Sequence, residues 1–265
     1  MKMGSLATAR LAPPTKLVSY AIDRADADGG AALRGLQDRW ENASQFKKST
    51  QGKLELITFS QPAVPGSARG DLTRVATTPE GKLILSAMDV EGHGVNAAKK
   101  AVSVQATIDK ILPQTDNKSA SDILAMVDER LGTEDELSVT AALAKYDPVT
   151  HQLQTATASS EFAFVVRAKG TVHQLDAKVG GLGLGNNLYA RFPGGNEVIR
   201  LGKGDTVVLA SDGVFDRFGY GSAKGFRSFL KKVGPHPAEI SRGILDTPPP
   251  ETGVDDTSFI IFRRA

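Results

Sequence analysis

From residue 54 onward the chain alternates between short apolar runs and longer stripes of apolar residues at helical spacing. Residues 54–59, 82–88, 138–146, 152–158, 162–167, 206–211 and 257–262 read as strands, and several are apolar on both faces, which predicts central strands buried on both sides. Ala97, Ala101, Val104, Ile108 and Ile111 recur at the helical period before Pro113, and Ile123, Val127 and Leu131 do the same in a segment that begins near Ser119. Residues 226–233 and 238–245 read as a pair of shorter helices. Strand pairs separated by short turns, with helices arriving in pairs, predict antiparallel sheets flanked by helices rather than a doubly wound parallel sheet.

Residues 1–53 follow a different pattern. Pro13 and Pro14 break the start, and Leu33, Leu36 and the sole tryptophan, Trp40, fall on one helical face. Such a stripe suits a helix packed on the core, or a regulatory or dimerising helix beside it. The expected organisation is therefore an N-terminal segment, 1–53, and a main domain, 54–265.

Composition narrows the function classes. A chain of 265 residues is long enough for a full core, and 40% hydrophobic residues, 23% charged and a formal net charge of +2 describe an ordinary globular protein. Lys and Arg are scattered among almost as many acids, which predicts no nucleic-acid partner. With no cysteine there is neither a disulfide framework nor a thiolate nucleophile. The absence of a bilayer-length apolar run and of a hydrophobic signal core predicts no membrane association and a cytoplasmic location.

Four aspartates carry the candidate chemistry. Asp71 lies in A-R-G-D-L, Asp89 ends K-L-I-L-S-A-M-D, Asp212 ends T-V-V-L-A-S-D, and Asp255 opens D-D-T-S-F-I-I-F. Taken singly, an Asp beside Gly is ordinary turn chemistry. Four carboxylates where apolar runs meet turns form instead an oxygen-only donor set, suited to hard divalent ions such as Mg²⁺ and Mn²⁺ rather than zinc.

The motifs G-D-L, M-D-V-E-G-H-G, L-A-S-D-G-V-F-D and D-D-T-S-F-I-I-F, in this order, resemble those of the metal-dependent PPM (protein phosphatase 2C-like) serine/threonine phosphatases, in particular their bacterial SpoIIE-like branch. The segment S-V-T-A-A-L-A-K-Y-D-P-V-T-H-Q-L-Q-T-A-T-A is similar to that branch's central hairpin, and G-G-L-G-L-G to one of its loops. The resemblance implies an α+β fold, a four-layer α-β-β-α sandwich of two antiparallel sheets flanked by helices. It also implies two divalent metal ions, Mn²⁺ or Mg²⁺, that activate a water for attack on phosphoserine or phosphothreonine. Asp89 would bridge the metals, the backbone carbonyl of Val90 would complete one of them, Asp212 and Asp255 would hold the first, and Asp71 would bind the second. His93 becomes a candidate general acid, set against a role in the loop entering the next helix. Arg69 stands where the branch has glycine and is a candidate contact for substrate phosphate, whereas Arg74 is expected to face solvent.

The substrate implied by the resemblance is a phosphorylated signalling protein such as an anti-sigma-factor antagonist, with control by an activating partner protein or by the helix around Leu33 and Trp40. An inactive scaffold of the same fold that binds a regulatory partner is the alternative, although a scaffold would have no need of all four aspartates. A calcineurin-like hydrolase would need G-D-x-H-G and G-N-H-E frames, and neither occurs.

Overall fold

The computed structural model describes residues 47–51, 54–63, 67–92, 94–132, 137–159, 162–175, 183–219, 223–252 and 254–265. The helix predicted around Leu33 and Trp40 lies outside them. Eleven strands among the described residues form two sheets in which every pairing is antiparallel. The six-stranded sheet contains β1 (Lys47–Gln51), β2 (Leu54–Gln61), β7 (Phe162–Val166), β8 (Val172–Leu175), β10 (Thr206–Ala210) and β11 (Thr257–Arg264), in the order β1-β2-β11-β10-β7-β8. The five-stranded sheet runs β3 (Leu72–Thr77), β4 (Leu83–Val90), β5 (Val139–Tyr146), β6 (Gln152–Ala158), β9 (Glu197–Arg200).

Period-two alternation along the strands builds three apolar layers. Leu85, Ala87, Ala142 and Ala144 of the five-stranded sheet meet Val165, Val207, Leu209, Ile260 and Phe262 of the six-stranded one, which makes the layer between the sheets. The opposite face of the five-stranded sheet, with Ile84, Met88 and Leu143, packs on α1 (Gly94–Ile111) and α2 (Ala120–Leu131) through Val104, Ile108, Ile123 and Val127. The opposite face of the six-stranded sheet, with Phe164, Val208 and Ile261, packs on α4 (Asp212–Asp216), α5 (Ala223–Val233) and α6 (Pro237–Asp246) through Phe215, Phe226, Leu230 and Ile240. These are the four layers, α-β-β-α, that the family resemblance implies, built of the helix-flanked antiparallel sheets predicted from the strand and helix pattern.

Several element ends differ from the sequence reading. β4 continues through Val90, because Asp89 pairs with Thr140 and Val90 with Val139, so Asp89 lies inside the strand. A short helical turn, α3 (Leu188–Arg191), and the single-turn α4 were not expected, nor were β1, β3, β8 and β9. β3 was hidden by Arg74, a charge on the helix-facing side of the strand. Its guanidinium does not simply face solvent: Nη2 lies 2.9 Å from Oδ1 of Asp109 on α1, and Nε donates to the same oxygen at 3.1 Å. β8 and β9 have only four residues each, too few to show a period.

Candidate active site

The alternation that places Leu85 and Ala87 between the sheets turns Asp89 toward the same layer at its rim. Leu72 opposes Met88 across β3 and β4, so Asp71, just before β3, arrives beside Asp89. In the other sheet Ala210 opposes Phe259. Beyond that pair the chains stay joined: Ser211 N–H donates to the Ser258 carbonyl at 2.9 Å and Ser258 N–H to Ser211 Oγ at 3.0 Å. Asp212, the first residue of α4, and the Asp255-Asp256 pair ahead of β11 are thereby held at the same end of the sandwich. Two acids come from each half of the chain, on strands that lead toward one rim.

Two glycines allow the segments to close. A Cβ on Gly70 would come within 2.7 Å of the Val90 carbonyl oxygen and 3.3 Å of Ala97 Cβ, so the backbone before Asp71 presses directly on the end of β4. A Cβ on Gly213 would collide with the Asp256 carbonyl oxygen. Any side chain at either position would push the acid-bearing segments apart.

The carboxyl groups feel one another. Burial, followed by the charges of Asp212, Asp255 and Asp256, pushes Asp89 up to about 7, while a side-chain hydrogen bond with Asp71 pulls the other way. Burial and then Asp255 push Asp212 up to about 6, against a hydrogen bond from Gly213 N–H to its Oδ1 at 2.7 Å. Asp256 is also raised, mainly by burial, although its carboxylate accepts from three backbone N–H groups.

Among the described residues, no three His, Asp or Glu side chains stand close enough together to hold a metal ion as they are oriented. The backbone nevertheless brings Asp71, Asp89, Asp212 and Asp255 to one rim. Rotation about χ1, or about the broad χ2 of aspartate, is the inexpensive motion here, because the strands beneath are paired and buried. Carboxylates from four segments meeting at one rim, the Val90 carbonyl oxygen close to Gly70, and burial and then neighbouring charge that raise Asp89 and Asp212 make an oxygen-only donor set of the kind hard divalent cations prefer.

The remaining sequence candidates fall as follows. His93 lies outside the described residues. Arg69 is buried, 6% exposed, next to Gly70. Gly183 and Gly185 belong to a loop in which Leu184 bridges Val139 in both directions, its N–H donating at 2.8 Å and its carbonyl accepting at 3.1 Å. Asp256 was not singled out from the sequence, yet it is more buried than its neighbour Asp255 and makes more contacts across the site. The doubled D-D ahead of an apolar strand was its only signal.

Known proteins share this architecture. The chain is similar to the SiaA-PP2C domain of Pseudomonas aeruginosa, with 20% identity, a TM-score of 0.66 and coverage of 96% of this chain and 99% of that one. It is similar to RsbX in complex with magnesium, at 14% identity and a TM-score of 0.65 over 83% of this chain and all of that one. The RsbU and RsbW domains of Rv1364c from Mycobacterium tuberculosis give 19% identity and a TM-score of 0.65 over 80% of this chain, which spans 60% of that longer protein. No curated protein matches the chain in sequence. Residues 79–265, most of the described domain, match the family model for Stage II sporulation protein E, and the chain belongs to the SpoIIE family.

Proposed function

We propose that the protein is a metal-dependent serine/threonine phosphatase that hydrolyses phosphoserine or phosphothreonine on a partner signalling protein. The observation that carries this reading is the convergence of Asp71, Asp89, Asp212 and Asp255 at the rim between the sheets, where burial and then like-charged neighbours raise Asp89 to about 7 and Asp212 to about 6. Membership of the SpoIIE family and a fold shared with PP2C-type domains support it, and the magnesium complex of RsbX supports divalent ions as the cofactor.

Asp89 would be shared between two cations, Asp212 and Asp255 would complete the site on the six-stranded sheet, and Asp71 with the Val90 carbonyl would complete the site beside Gly70. Bound there, the cations would neutralise the phosphoryl oxygens and supply a water of lowered pKa for in-line attack. The protein's contribution is to hold the carboxylates on paired strands that need little reorganisation when charge develops. Arg69, with its planar guanidinium, would contact the substrate phosphate from its place beside Gly70. The RsbU-RsbW arrangement in the similar protein supports a partner from a regulatory signalling module.

The test is hydrolysis of para-nitrophenyl phosphate and of a phosphoserine peptide with added Mn²⁺, with and without chelator, for the wild type and Asp212→Ala. Turnover that needs the cation and is lost in the variant is expected. Turnover that persists in chelator, or in Asp212→Ala, would exclude the proposed site.

A further inference from the structure

Asp256 is 6% exposed and its carboxylate faces the chain rather than solvent. Oδ1 accepts from Ala63 N–H at 2.7 Å, and Oδ2 accepts from Gly70 N–H at 2.7 Å and from Asp71 N–H at 3.4 Å. These donors lie 185 to 193 residues away in sequence and sit at two points on the connection between β2 and β3, which carries Asp71. The main chain of Asp256 is engaged as well: its carbonyl accepts from Ser211 Oγ at 3.5 Å and packs against Gly213, and its N–H donates to Asp255 Oδ1 at 2.7 Å. One residue thus touches the segments of Asp71, Asp212 and Asp255.

We infer that Asp256 is the positioning residue of the site: its carboxylate fixes the backbone of Gly70 and Asp71 against the six-stranded sheet and so sets where the Asp71 carboxyl stands relative to Asp89. The inference rests on the functional reading above, but it assigns Asp256 no contact with cation or substrate. Ionised acceptors make shorter and stronger hydrogen bonds to backbone N–H than neutral ones do. Outer partners of this kind typically alter metal affinity by ~10–100-fold when they are changed. An amide cannot replace the carboxylate. In Asp256→Asn one of the two terminal atoms becomes a donor, so either Ala63 or the Gly70-Asp71 pair faces N–H against N–H.

The test combines two readouts on the full chain, amide hydrogen exchange at Ala63, Gly70 and Asp71 in chelator, and Mn²⁺ titration calorimetry. Asp256→Asn, Asp71→Asn and the double variant are compared with the wild type. The expected result is faster exchange at these amides in Asp256→Asn and a loss of Mn²⁺ affinity of about 10-fold or more, with the double variant no worse than Asp71→Asn alone. Loss of a negative charge without repositioning would instead add to the effect of Asp71→Asn. Unchanged exchange, unchanged affinity or additive losses would each overturn the inference while leaving the phosphatase reading intact. A wild type that binds no Mn²⁺ would overturn both together. Should Asp256→Asn prove unfolded, Asp256→Glu retains the charge but displaces the carboxylate by one methylene, and the inference then requires it to fold and lose Mn²⁺ affinity.

Discussion

At Asp89 and Asp212, stability and activity are expected to move in opposite directions. Each carboxylate is pushed up by burial and like-charged neighbours, so neutralising one relieves repulsion in the cation-free protein even as it removes a cation ligand. Asp89→Asn should therefore raise the melting temperature measured in chelator at pH 8 while abolishing Mn²⁺-dependent hydrolysis. A lower melting temperature would show that the repulsion is already relieved by other means. The same shifts set a pH dependence. With folded-state values of about 7 and 6 against an ordinary 3.8, the folded chain holds more protons than the unfolded chain between about pH 4 and 7. These two groups thus contribute a loss of stability as pH rises through that window. Thermal unfolding in chelator should show a flatter dependence over it for Asp89→Asn and Asp212→Asn than for the wild type. The four aspartates stood out in the sequence because each ends or opens an apolar run, a local signal, and the structure brings them to one rim, although Asp89 lies inside β4 rather than at its end. Asp256 was not, because its partners are distant in sequence and a D-D pair does not say which carboxyl turns inward. Arg74 misled for the converse reason: its partner Asp109 lies on a helix whose pairing with β3 the sequence does not display.

The elements around the rim depend on a few polar anchors. α2 was placed correctly because its start is written locally: Ser119 Oγ accepts from Asp122 N–H at 3.1 Å and Asp122 Oδ2 accepts from Ser119 N–H at 2.9 Å, a capping box. Its far end holds something the sequence does not announce. Asp128 is fully buried, and its Oδ1 accepts from Gly185, Asn186 and Asn187 N–H at 2.6, 3.3 and 3.2 Å, while Oδ2 accepts from Ala190 N–H at 2.9 Å. A helix residue thus supplies the acceptor that the start of α3 lacks. Asp128→Ala would leave the buried Gly185 N–H and the part-buried N–H groups of Asn187 and Ala190 without the carboxylate and should cost roughly 3 kcal/mol, with faster amide exchange across 185–190. Loss of stability without faster exchange there would place the damage elsewhere. Gly213→Ala acts on the other sheet: the new methyl collides with the Asp256 carbonyl, an overpacking expected to cost about 1–3 kcal/mol. Because the collision separates Asp212 from Asp255, turnover should fall further than stability alone explains, as a comparison of kcat with unfolding would show.

Across the whole molecule, the acids come from both sheets: Asp71 and Asp89 from the five-stranded one, Asp212 and Asp255 from the six-stranded one. Cations bound between them would tie the sheets together and stabilise only the folded chain. At a free Mn²⁺ concentration 100-fold above Kd that stabilisation is about 2.7 kcal/mol, so the melting temperature should climb with Mn²⁺ in the wild type and stay flat in Asp89→Asn. The fold class was legible because strand pairs and helix pairs alternate along the chain, whereas the order of strands within each sheet was not, since nothing local tells β2 that its neighbour is β11.

That neighbour relation sets a timetable. β11 lies between β2 and β10, in register with both, although it is made after every other described strand. A chain still on the ribosome and halted before Asp255 holds β2 and β10 with nothing to join them, and it lacks Asp255 and Asp256 altogether. Its five-stranded sheet could pair, but the six-stranded one would be in two pieces, each with an exposed edge open to misassembly. The four acids can therefore come together at one rim only once β11 has entered the gap between β2 and β10.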